Sequence, residues 1–74
     1  MNVEQLASMA NSIADFFEAE PDHEVAVEGI ANHIRKFWEP RMRKQLLAYE
    51  AAGGEALHPL VKEALKLVAP FTTA

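Results

Sequence analysis

The sequence predicts an all-α fold, a small single-domain helical bundle of three to four short helices within residues 1–70. Apolar residues recur at steps of three and four, which is the spacing of one helical face. Short breakers built on Pro or on paired Gly separate these periodic segments. No stretch alternates apolar and polar residues as a half-buried strand would, and a 74-residue length allows one domain at most.

Each predicted helix begins at or near a residue suited to a helix start. Asn2 and Asp22 are good N-caps, because their side-chain oxygens accept hydrogen bonds from first-turn amides. Pro40 and Pro59 suit the first turn, where the amide hydrogen that proline lacks would be unpaired anyway. The predicted helices span residues 3–19, 22–38, 40–52 and 59–68.

Glycine and proline also predict where helices end or approach one another. Gly53 and Gly54 provide a left-handed stop for the third helix. Pro70 is predicted to end the fourth helix and to leave residues 71–74 as a flexible tail. Gly29 costs about 1 kcal/mol relative to Ala in the middle of the second helix. We interpret it as permitting a close helix crossing.

Two aromatic residues, Phe37 and Trp38, occupy the corner between the second and third predicted helices. Phe37 continues the apolar face of the second helix and is predicted to fill the core. Two interpretations of Trp38 stay open. It covers the corner of the bundle, or it is an exposed interface anchor flanked by Arg41 and Arg43.

Size and cysteine content indicate that the chain needs a partner. A chain of this length buries only about 60% of the surface that its unfolded form exposes, so the lone monomer is marginally stable. Disulfides and zinc–thiolate sites are excluded because the chain has no cysteine. The remaining way to stabilise so small a chain is binding to a partner. An autonomous enzyme is not expected, since so short a chain can hardly wall in a substrate cleft.

The net charge of −4 divides unevenly along the chain. Residues 1–34 hold seven acidic residues and no Lys or Arg, whereas residues 35–74 hold all seven basic residues and four acidic ones. This dipolar pattern favours an oriented contact over general adhesion to nucleic acid. Five of the bases lie close together in sequence: Arg35, Lys36, Arg41, Arg43 and Lys44.

No catalytic, metal-binding or cofactor-binding residues are predicted. The histidines, His23, His33 and His58, have no second His or carboxylate at metal-ligand spacing on the same helical face, and we interpret them as solvated or capping residues. No nucleophile–base pair or phosphate-binding loop is evident. No apolar run approaches the roughly 18 residues of a membrane span. The first residues lack the segments of a secretory signal, and the absence of cysteine is compatible with the cytoplasm.

Four stretches of the sequence resemble the delta subunit family of the NAD-dependent formate dehydrogenases. The most specific is the run Phe-Trp-Glu-Pro-Arg-Met-Arg at residues 37–43, and the others are helical segments and a helix start. Together they cover roughly residues 6–65. The four stretches are residues 9–17, 29–34, 37–43 and 53–61.

The resemblance implies a non-catalytic accessory subunit of a large cytoplasmic complex. In that family the catalytic alpha subunit holds a molybdenum or tungsten pyranopterin and iron–sulfur clusters, and beta and gamma subunits pass electrons to NAD. The delta subunit carries no cofactor of its own. It is expected to attach to the alpha subunit and to support assembly, stability or cofactor loading of the active enzyme.

We predict a partner-binding surface at the corner between the second and third helices and on the apolar side of the fourth helix. Its expected residues are Trp38, Arg41, Arg43, Arg35 and Leu60. The alternative is a free-standing helical module that self-associates or binds nucleic acid weakly. In the nucleic-acid case, the third helix would be the recognition helix of a helix-turn-helix, with a basic strip only one turn long.

Overall fold

The computed structural model describes residues 2–73, and within that range it contains four helices and no strand. This confirms the predicted small all-α bundle. The most extensive helix–helix contact joins α2 and α4, while α1 packs against α2 and α3. The helices are α1 (Val3–Phe17), α2 (His23–Phe37), α3 (Pro40–Ala51) and α4 (Pro59–Thr73).

The predicted helix starts are confirmed by their hydrogen bonds. The Asn2 side chain accepts a hydrogen bond from the Gln5 amide at 2.9 Å, and the Gln5 side chain accepts one from the Asn2 amide, which completes a capping box. The Asp22 carboxylate accepts bonds from two first-turn amides of α2. Local chemistry therefore sets the beginnings of α1 and α2.

The predicted end of the fourth helix is wrong, because α4 continues through Pro70 to Thr73. Tertiary contacts hold this last turn. The Thr72 hydroxyl donates a hydrogen bond to the Val68 carbonyl and accepts one from the Arg43 side chain. Residues 71–73 therefore extend the helix instead of forming a tail, whereas Ala74 lies outside the described residues.

The assignment of Phe37 to the core is also wrong. Phe37 is 72% exposed, whereas Trp38 is 5% exposed and joins the core cluster. Both residues fit the apolar spacing after Ile34, by three and by four positions. The backbone of Trp38 is extended (φ −92°, ψ 139°), so the chain leaves the helix there and the indole turns inward. The covering interpretation of Trp38 is therefore the one that the structure shows.

Gly29 provides space for an aromatic ring. A Cβ atom built at this position would lie 2.3 Å from Cε1 of Phe17, far inside van der Waals contact. We expected a close helix crossing at Gly29, whereas the structure shows that a ring from the end of α1 fills the space beside it. Two of the fully buried residues of α1, Ala10 and Ala14, are small.

We expect Gly29→Ala to destabilise the protein although alanine is the better helix former. The clash with Phe17 should cost about 1–3 kcal/mol, which exceeds or equals the roughly 1 kcal/mol gained in helix propensity. In a Phe17→Leu background the same change should become stabilising, because the ring is gone. Urea unfolding of the four proteins in this cycle measures the reversal of sign. Stabilisation by Gly29→Ala in the native background would contradict the ring contact.

Candidate functional site

The predicted corner is organised around Arg43, whose side chain is half-buried. Its Nη1 donates hydrogen bonds to the carbonyl oxygens of Trp38, at 2.6 Å, and of Arg35, at 3.4 Å. Its Nε donates to the Thr72 hydroxyl at 3.1 Å. A cation at this position satisfies carbonyls at the C-terminal end of α2 and complements the helix dipole. Arg43 therefore joins the ends of α2 and α4 within the chain.

The remaining basic residues at this end of the molecule face outward. Arg35 makes a hydrogen bond with the Asn32 side chain, and its guanidinium carbon lies 4.6 Å from the centre of the Phe71 ring. Phe71 itself is 64% exposed. Within residues 2–73, the only ion pairs are made by histidines, so no Lys or Arg there pairs with a carboxylate. We call the following group the basic end: Arg35, Lys36, Arg41, Lys44 and Phe71.

The structure brings together four of the five residues predicted to bind a partner, and it separates the fifth. Trp38 and Arg43 are engaged inside the corner, whereas Arg35 is partly exposed and Arg41 is exposed. Leu60 lies at the opposite end of α2 and is half-buried against the core. The five residues therefore do not form one surface. The inward direction of Arg43 also shortens the basic strip that a recognition helix would need.

The charge division seen in the sequence becomes a division between the two ends of α2. Its 15 residues span about 22 Å. Asp22 and Glu24 lie at the N-terminal end, close in sequence to Glu18 and Glu20, and the basic end lies at the C-terminal end. This orientation suits the helix dipole at both termini.

His23 links α2 to α4 at the N-terminal end of α2, where the acidic residues lie. Its Nε2 lies 2.8 Å from an Oε atom of Glu63. This hydrogen bond, together with the negative charge of Glu63, raises the pKa of His23 above 6.5.

The His23–Glu63 pair predicts a pH-dependent contribution to stability. Because the pKa of His23 is raised on folding, the contribution should be fully present below pH 6.5 and lost as pH rises through the folded-state pKa. NMR titration of the His23 ring should give a midpoint above 6.5 in the native protein. In Glu63→Gln the midpoint should fall. An unchanged midpoint would mean that the pair does not form.

His58 caps α4 and lies in a cluster that sequence reasoning missed. Ligand atoms of Asp15, Glu18 and His58 all lie within 4.8 Å of one another, the arrangement of a possible metal site. However, Nδ1 of His58 accepts a hydrogen bond from the Leu60 amide, so in the neutral ring the proton is on Nε2 and faces Glu18 at 3.3 Å. A metal ligand needs the opposite arrangement. We therefore interpret the cluster as a link between α1 and the start of α4.

The same link includes a residue from one of the stretches that carried the resemblance. Asn11 donates a hydrogen bond from Nδ2 to the Ala56 carbonyl at 2.7 Å and accepts one from the His58 amide at 2.8 Å. One side chain thus pairs with a carbonyl and with an amide of the loop backbone before α4. The role of Asn11 is to hold this loop on α1.

A second exposed surface lies between α1 and α2. Phe16 is 76% exposed and Met9 is 38% exposed on α1. His33 stacks on Phe37 across 4.9 Å between ring centres. A shallow groove of about 340 Å³ connects the two helices and is lined by Ile13, Phe16 and His33, among others. The members of this α1–α2 apolar surface are Met9, Ile13, Phe16, His33 and Phe37.

The comparisons with known proteins decide the family. A family model described as the NADH-dependent formate dehydrogenase delta subunit FdsD matches residues 5–65 of the 74-residue chain. The chain belongs to the FdsD family. The match spans α1, α2, α3 and the first half of α4, and therefore includes the corner around Arg43 and Trp38. The resemblance predicted from the sequence is confirmed.

The other comparisons add no relative. Neither a curated protein nor a solved structure matches the chain. Among residues 2–73, no helix has both the length and the apolar composition needed to cross a membrane. Membership of the FdsD family identifies the chain as a formate dehydrogenase delta subunit.

Proposed function

We propose that this FdsD chain is a non-catalytic accessory subunit that docks on the catalytic alpha subunit of a cytoplasmic NAD-dependent formate dehydrogenase. There it supports assembly, stability or cofactor loading of the active enzyme. The observation that carries the proposal is the basic end of this family member, where cations have no carboxylate partner and one of them, Arg35, lies over the exposed Phe71 ring.

The chemistry of the basic end indicates what it would bind. Arg35 and Arg41 present planar donor groups that match carboxylates, and Arg35 is held in place by the Phe71 ring. Arginine and aromatic residues are common anchors of protein interfaces. The expected counterpart on the alpha subunit is therefore an acidic surface with room for the Phe71 ring.

The resemblance assigns the redox groups to the large subunits: a molybdenum or tungsten pyranopterin and iron–sulfur clusters in the alpha subunit, with NAD reduced through the beta and gamma subunits. This chain has no cysteine to hold a cluster. Its contribution would be binding energy. It favours a cofactor-competent conformation of the alpha subunit only if it binds that conformation more tightly than others.

Charge reversal at the basic end tests the proposal. Co-expressed with a tagged alpha subunit, the Arg41→Glu variant should be recovered at least about tenfold less than the native chain, since rim charges steer and hold such contacts. The metal content of the recovered alpha subunit should fall with it. Both losses should be smaller at high salt, where the native contact is itself weakened.

Lys66→Glu is the matched control, because it makes the same charge change at an exposed position on α4 outside the basic end. Its recovery should equal that of the native chain. Equal recovery of native chain, Arg41→Glu and Lys66→Glu would remove the basic end from the docking surface. Failure of the native chain to copurify with the alpha subunit would overturn the proposal as a whole.

A further inference from the structure

The α1–α2 apolar surface is left without a role by docking through the basic end. On α2, Arg35 faces Phe71 of α4, whereas Phe37 stacks with His33 beside α1, so the two surfaces lie on different sides of the helix. Phe16 and Phe37 are both more than two-thirds exposed. Such side chains contribute little to the core, and a contiguous apolar patch on a small domain indicates an interaction site.

The charges at the two ends of this surface are opposite. Glu20 lies beside Phe16, where both line a second shallow groove. Lys36 is exposed and directly precedes Phe37 in the sequence at the other end. Neither residue has an ion-pair partner within residues 2–73. Along this surface, an acidic residue at the end of α1 is followed by the apolar residues and then by a basic residue at the end of α2.

We propose that the occupant of the α1–α2 apolar surface is a second copy of this chain, packed antiparallel about a two-fold axis. In that arrangement Phe16 of one copy meets Phe37 of the other, and Glu20 of one copy faces Lys36 of the other. Both contacts occur twice, because a two-fold interface is self-complementary. The pattern of charges fits an antiparallel copy and opposes a parallel one.

The size of the surface sets the strength of the dimer. The whole chain exposes 4670 Å², and a standard interface takes about 800 Å² from each partner. A patch of five side chains lies at the low end of that range, so the dissociation constant should be on the order of 10–100 μM. The inference is independent of the proposed function, because it concerns the purified chain alone. Of the basic end, only Lys36 takes part in the dimer contact, and Arg35, Arg41, Lys44 and Phe71 stay outside it.

Sedimentation equilibrium of the purified chain from about 5 μM to about 1 mM tests this proposal directly. The weight-average mass should rise from that of the 8.2 kDa monomer toward twice that value. The Phe16→Ser/Phe37→Ser variant should stay monomeric across the range. Phe71→Ser, which removes another largely exposed ring, from the basic end, should dimerise like the native chain.

Charge reversal makes the orientation testable. Glu20→Lys and Lys36→Glu should each weaken the dimer at least about tenfold, because like charges then face each other. When the two variants are mixed, they should form a heterodimer, since each reversed charge meets an opposite one. Circular dichroism of each variant separates loss of dimer from loss of fold.

Several outcomes would overturn the proposal. One is a monomeric native chain at about 1 mM, and another is a dimer that survives Phe16→Ser/Phe37→Ser. A third is a mixture of Glu20→Lys and Lys36→Glu that stays monomeric. If the native chain is monomeric and Phe16→Ser/Phe37→Ser instead lowers copurification with the alpha subunit, the surface belongs to that subunit and not to a second copy.

Discussion

Replacing Trp38 with alanine is expected to lower the free energy of unfolding by about 3–5 kcal/mol. The indole is 5% exposed and packs in the core cluster, so its removal leaves a large cavity in the core at the corner between α2 and α3. Domains of this size have little stability to lose, and most of the variant should be unfolded at 37 °C. Urea unfolding followed by circular dichroism measures the change, because the variant has no tryptophan fluorescence.

Phe37→Ala is the matched control for Trp38→Ala. Phe37 is the adjacent aromatic residue but is 72% exposed, so its removal should change the unfolding free energy by no more than about 0.5 kcal/mol. The comparison is made at low protein concentration, where self-association does not contribute. Equal losses for the two variants would contradict the inward placement of Trp38.

Replacing Arg43 with glutamine is expected to lower the free energy of unfolding by about 2–3 kcal/mol. The change removes three hydrogen bonds from a charged donor, and it leaves the carbonyls of Trp38 and Arg35 and the Thr72 hydroxyl without that partner. A loss of this size should lower the melting temperature by roughly 10 °C or more. Amide hydrogen exchange should also accelerate in the last turn of α4, which Arg43 helps to hold.

Two further variants separate the contacts of Arg43 from its charge. Arg41→Gln removes an exposed arginine two positions away and should change stability by less than about 0.5 kcal/mol. Arg43→Lys keeps the charge but cannot form the forked contact, so it should recover only part of the loss. Full recovery by lysine would mean that charge alone is responsible. A double-mutant cycle with Thr72→Val should show coupling between the two side chains.

Helix starts could be predicted from the sequence, because N-caps act through bonds within one turn. Asn2 and Asp22 both cap as expected. The end of α4 could not be predicted, because the turn after Pro70 makes its contacts, through Thr72 and Phe71, with residues distant in sequence. Phe37 and Trp38 both fit the helical period, and the choice between them depends on where the backbone leaves the helix.

The parts of the candidate site whose residues are close in sequence could be predicted. The parts formed by residues distant in sequence could not. The basic end was visible because most of its members are close in sequence. The inward direction of Arg43 and the outward direction of Arg41 depend on where α4 ends. The cluster around His58 brings together α1 and the loop before α4, and no local spacing indicates that contact.

Docking on the alpha subunit can be measured by native mass spectrometry of the catalytic alpha subunit co-expressed with this chain. We expect a complex in which the alpha subunit carries the 8.2 kDa chain. The complex should be lost with Arg41→Glu and retained with Lys66→Glu. Detection of the alpha subunit only in its free form, alongside folded native chain, would contradict the proposal that this FdsD protein docks on the catalytic subunit.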